Sequence, residues 1–109
     1  MRKLLPLLLL FTVVASAATP VHTVTLNWNA STGATTYNVY RGTATGAETL
    51  YASGLTPTTY TDPTVTNGTT YFYYVTAVGT GGESAASLEV SAQIPMPPSA
   101  PTGLKLTVN

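Results

Sequence analysis

At 109 residues the chain is long enough for one domain and too short for two. Lys and Arg total four, Asp and Glu total four, and only 7% of residues are charged, so no basic surface exists to neutralise phosphates and nucleic acid is excluded as a partner. Cysteine is absent, which excludes disulfide staples and a lipid anchor on a Cys, and leaves core burial to hold the fold.

The N-terminus reads as a leader. Arg2 and Lys3 precede an apolar run from Leu4 to Val14, and Ala15-Ser16-Ala17 has the small-x-small form of a cleavage site. These are the three parts of a secretory signal peptide, assigned to residues 1–17, so the mature chain is expected outside the cell or on its surface. The apolar run is shorter than the roughly 20 residues a membrane crossing needs, so no membrane contact is expected after cleavage. The mature chain keeps Arg41 and Lys105 against Glu48, Asp62, Glu83 and Glu89, a charge-poor, weakly acidic surface suited to neutral partners or none.

Beyond the leader, residues 21–29 alternate, with Val24, Leu26 and Trp28 on one face and Thr23, Thr25 and Asn27 on the other. That is a half-buried strand. A turn over residues 30–34 leads to a second strand over 36–41, with Tyr37 and Val39 inward, and residues 42–48 form a Gly-containing loop. Short strands are predicted over 49–52 and 58–61 around a turn at 54–57, and Pro63 stops the pairing because it cannot donate to a ladder. A corner then leads into the longest β-prone run, Thr69 to Val78, in which aromatic and β-branched residues dominate and none is charged. Gly79 to Gly82 reads as a hairpin connection and residues 87–92 as the return strand. Six short strands with no helical period indicate an all-β, two-sheet antiparallel sandwich.

Four segments carry a family likeness: Val24 to Asn29, Tyr37 to Arg41, Tyr60-Thr61-Asp62, and Val65 to Tyr71. Together, over residues 21–94, they resemble a fibronectin type III domain of the kind found in secreted bacterial proteins. The last resembles that family's tyrosine corner, with Val65 and Asn67 where the family has Leu and Pro; the likeness implies that the Tyr71 phenol bonds backbone near Val65. An immunoglobulin domain would want a Cys pair, which this chain lacks. The resemblance implies structural roles for Trp28, Tyr37, Tyr60 and Tyr71, and a core of these with Val39, Tyr73 and Val75.

One departure concerns the first strand of the fold, which is missing before residue 21. Residues 102–109 look like that strand placed at the other end, after a stiff Pro-rich linker over 95–101. The division expected is a leader at 1–17, the domain at 18–94, the linker, and the truncated first strand of a following repeat. A sharper reading has residues 102–108 fill the vacant edge. Antiparallel pairing within one chain requires a climb of about 25 Å for a seven-residue strand, which the seven linker residues reach only when fully extended, with nothing left to turn the chain back. Reach therefore favours donation to another molecule.

Nothing in the spacing points to chemistry. His22 has no metal-binding or triad partners, the carboxylates are scattered, and no phosphate loop is present, so neither catalytic group nor metal nor cofactor is expected. Asp62 reads as a turn residue bonding local backbone. If Tyr71 and Tyr73 point inward, then Phe72 and Tyr74 point outward beside Tyr40. This exposed aromatic strip of Tyr40, Phe72 and Tyr74 either stacks on sugars or a protein partner or stabilises the sheet. The function expected is a structural, spacer or adhesion module of a larger extracellular protein, contacting other protein modules. The alternative is a carbohydrate-binding accessory module contacting cell-surface or polysaccharide ligands through the strip.

Overall fold

The computed structural model describes residues 21–109, so the leader assigned to residues 1–17 lies outside the described residues. Seven strands follow one another: β1 (Val24–Asn27), β2 (Thr36–Gly42), β3 (Thr49–Leu55), β4 (Thr59–Asp62), β5 (Thr70–Gly79), β6 (Gly82–Glu83) and β7 (Val90–Gln93). They form two antiparallel sheets, β1–β4 and β3–β2–β5 with both β6 and β7 on the far edge of β5. The all-β sandwich expected from the alternation is the architecture found.

Three expected elements differ in detail. Gly54 is a bulge and not a turn, because β3 continues through it to Leu55. Gly54 takes φ +68°, a conformation open mainly to glycine, and its N–H donates to the Asn38 side-chain oxygen at 3.2 Å. The return strand expected over 87–92 pairs as β7 only from Val90 to Gln93, and the short strand β6 forms earlier, at the end of the expected hairpin connection. Between β6 and β7, the Ser84 and Ser87 N–H groups still donate to the Ala77 and Val75 carbonyls at 2.8 and 2.9 Å, while the serine hydroxyls, in place of backbone carbonyls, accept the N–H groups of Ala77 and Val75, each at 2.9 Å. The strand expected over 21–29 pairs as β1 only from Val24 to Asn27, with the Trp28 N–H extending the ladder to the Thr58 carbonyl at 3.0 Å.

Between the layers, Val39 and Tyr73 are fully buried, and Tyr37, Tyr71 and Ile94 nearly so. Trp28, Tyr60 and Val75, expected in the core, pack against this cluster half-buried. Two strands cannot cover a five-stranded sheet, so the sandwich is wedge-shaped. Exposure along one face of the return strand records the opening, falling from 90% at Leu88 through 51% at Val90 to 4% at Ile94. Ile94 closes the narrow end, its N–H donating to the Thr69 carbonyl and its carbonyl accepting from Gly68, both at 2.9 Å. Residues 95–109 form no strand and stand exposed.

Candidate binding face and the polar link behind it

The outer face of the larger sheet carries the aromatic strip. Tyr40 and Tyr74 are register partners across β2 and β5, and their rings stack at 4.5 Å with 16° between planes. The Tyr40 hydroxyl donates to Glu83 Oε1 at 2.6 Å, and Asn38 Nδ2 donates to Glu83 Oε2 at 3.2 Å. The bond to Glu83 raises the Tyr40 pKa, because a neighbouring carboxylate disfavours the phenolate. Phe72 shares the face but pairs in register with Gly42 and Ser91, so its ring gains no cross-strand aromatic neighbour. The structure thus brings Tyr40 and Tyr74 together and leaves Phe72 apart. One face of each stacked ring is taken by the other, which halves the surface a ligand could stack on.

Behind this sheet lies a cluster that the sequence reading missed. Asp62, at the end of β4, is completely buried and accepts five hydrogen bonds. The donors are Tyr73 Oη at 2.7 Å, Arg41 Nη1 at 2.8 Å, Thr64 Oγ1 at 2.9 Å, Thr64 N at 3.0 Å and Tyr51 Oη at 3.1 Å. Only the Thr64 N–H is the local turn contact expected of it. Arg41 also lies over the Tyr51 ring at 3.9 Å and the Tyr71 ring at 4.8 Å, so its charge is held by both a carboxylate and aromatic faces. Burial pushes the Asp62 carboxyl up, but the bonds from Tyr73, Arg41 and Thr64 outweigh it and hold the pKa at about 2. Burial and the bond to Asp62 push the Tyr73 phenol up, so it stays a proton donor.

The link ties β2 and β5 of one sheet to β4 of the other at the narrow end of the wedge. A signal for it exists in the sequence: continuing the inward phase of Tyr37 and Val39 reaches Arg41, and that of Tyr60 reaches Asp62.

The remaining aromatics do structural work. The Thr66 N–H donates to the Tyr71 hydroxyl at 2.9 Å, one residue from the position the corner resemblance implies. The Thr69 N–H reaches the Thr66 carbonyl at 3.2 Å across Asn67-Gly68, with Gly68 at φ +79°, so these are turn residues. Trp28 meets Tyr37 edge-on at 5.5 Å, Tyr60 meets Tyr51 edge-on at 6.3 Å, and the Tyr37 hydroxyl accepts the Ser31 N–H at 2.9 Å. Tyr71→Phe removes one backbone–side-chain bond and little volume; a loss of about 1 kcal/mol is expected, read as a lower urea midpoint at unchanged slope.

Among the described residues no three His, Cys, Asp or Glu side chains stand together. Glu48 and Glu89 meet on the surface; the bond to Glu89 raises the Glu48 pKa, while that bond and those from Thr45 and the Gly46 N–H lower the Glu89 pKa.

No family model matches the chain. An Fn3-like protein from Clostridium thermocellum, solved by crystallography, shares 44% identity and superposes with a TM-score of 0.62 over 71% of this chain and 81% of that one. An amylopullulanase of Thermoanaerobacter thermohydrosulfuricus is 51% identical over 73 residues, which are 63% of this chain and 5% of the enzyme. A poly(3-hydroxybutyrate) depolymerase of Ralstonia pickettii is 46% identical over 83 residues, 74% of this chain and 16% of the enzyme. The chain therefore spans a small part of these two enzymes, in each of which the matching unit is one piece of a larger protein.

Proposed function

From the premise that the chain belongs to the fibronectin type III family, we propose that it is a non-catalytic spacer module of a larger extracellular protein that degrades a polymer. The carrying observation is that the same unit recurs within two differently named polymer-degrading enzymes, an amylopullulanase and a depolymerase, as 5% and 16% of their lengths. A unit shared by enzymes with different substrates serves something other than substrate chemistry. The leader read from residues 1–17 supports an extracellular setting.

The stacked pair supports the spacer reading over carbohydrate binding. Tyr40 and Tyr74 spend a ring face on each other, and Glu83 holds the Tyr40 hydroxyl, as expected of a pair that stabilises the sheet. The test is co-sedimentation of residues 18–109 with insoluble starch and with poly(3-hydroxybutyrate) granules, beside a Tyr40→Ala/Tyr74→Ala variant. Neither protein is expected to pellet. Wild-type pelleting on starch that the variant loses moves the function to a carbohydrate-binding module.

A further inference from the structure

The wedge has an unfinished side. Among the described residues β1 pairs with β4 alone. Trp28 donates to Thr58 within that ladder, so the alternation of antiparallel bonding turns the backbone N–H and C=O groups of Thr25 and Asn27 to the free edge. Beside this edge runs a groove of about 290 Å³ lined by Leu26, Trp28, Tyr73, Val75, Leu88 and Val90, among others. Trp28 Nε1 is buried there with no acceptor among the described residues. An open strand edge beside an apolar groove is the geometry that accepts an added strand.

The same chain carries a segment with the matching pattern. Leu104, Leu106 and Val108 are 95%, 90% and 87% exposed and recur at every second residue, so an extended segment presents all three on one face. We propose that residues 104–108 of a second copy of this chain add to the β1 edge as an antiparallel strand. Leu104, Leu106 and Val108 lie opposite Trp28, Leu26 and Val24 and fill the groove; Lys105 and Thr107 exchange backbone bonds with Asn27 and Thr25.

Two features make the donor a second molecule. The chain leaves the domain at Ile94, at the narrow end where β1 begins, because Ile94 bonds Thr69 at the entry to β5 while Val24 pairs with Asp62. An antiparallel strand on β1 must start at the other end. The nine connecting residues, 95–103, include Pro95, Pro97, Pro98 and Pro101, which favour a stiff extended path away from the domain over one that turns back and climbs it. Each copy donates at one end and accepts on one side, so the contact is head-to-tail and builds chains unless the rotation closes a ring.

The chain has no cysteine, which permits a clean test. Thr25→Cys and Thr107→Cys, made separately in residues 18–109 and mixed under oxidation, are expected to give a disulfide-linked heterodimer as the main product. Thr25→Cys mixed with Ser99→Cys is not. Light scattering is expected to show a mass rising with concentration, falling to one chain on deletion of residues 102–109 or on Leu104→Asn/Leu106→Asn. Heterodimer no greater than in the Ser99→Cys mixture overturns the proposal, as does a single-chain mass at every concentration with the segment intact. Closure of a Thr25→Cys/Thr107→Cys double variant on itself at high dilution overturns the second-copy donor.

Discussion

Asp62→Ala is expected to lose about 3–5 kcal/mol of folding stability, the cost of removing one partner from a buried charge pair. The substitution strands Arg41 Nη1, Tyr73 Oη and the Thr64 N–H without the carboxylate they share. Against a total of about 5–15 kcal/mol for a small domain, the variant is expected to melt far below the wild type. Asp62→Asn retains one acceptor oxygen and is expected to fall between the two. The effect also has a pH signature. The folded-state pKa of about 2 lies below the ordinary carboxyl value of 3.8, so the contribution is fully present above about pH 4 and is lost as pH falls through the folded value. It amounts to about 2 kcal/mol. Urea unfolding at pH 6 and at pH 2 is expected to show the gap between wild type and Asp62→Ala narrowing at the lower pH.

The second large effect concerns Tyr73, whose ring is fully buried and whose hydroxyl reaches Asp62. Tyr73→Ala is expected to cost about 3–5 kcal/mol, from the cavity and from the lost donor together. Trp28→Ala, measured in dilute residues 18–109 by the same urea titration, is expected to cost less, about 2 kcal/mol, because the indole sits half-buried at the open side and loses less apolar contact. Equal losses would mean that the wedge is closed over Trp28.

That ordering shows where the sequence is readable and where it is not. Period-two alternation places β1, β2, β4 and β5 and gives the inward direction of Tyr37, Val39, Tyr71 and Tyr73. It cannot weigh how completely the opposite layer covers each inward residue. Trp28 therefore reads as an anchor although it lies where the smaller sheet runs out. Ile94 passes unnoticed because it follows the last strand, yet it seals the narrow end through two backbone bonds to the corner. The Gly54 bulge reads as a turn because glycine at positive φ serves both. Arg41 and Asp62 are 21 residues apart, and a pairing at that distance depends on how β2 and β4 stack, which no local pattern encodes. The strip of Tyr40, Phe72 and Tyr74 is legible as an outward face, whereas the mutual stacking of Tyr40 and Tyr74 that limits its use follows only from the β2–β5 register.

Stability, spacer role and strand acceptance all rest on a two-layer wedge closed around Val39 and Tyr73 and, among the described residues, open along β1. Amide hydrogen exchange on dilute residues 18–109 tests it most directly. The bonded amides of β2 and β5 are expected to exchange only through global unfolding, while the Thr25 and Asn27 amides exchange nearly as fast as those of the exposed segment over residues 102–109. Slow exchange at Thr25 and Asn27 in the dilute monomer, or fast exchange along β5, would contradict it.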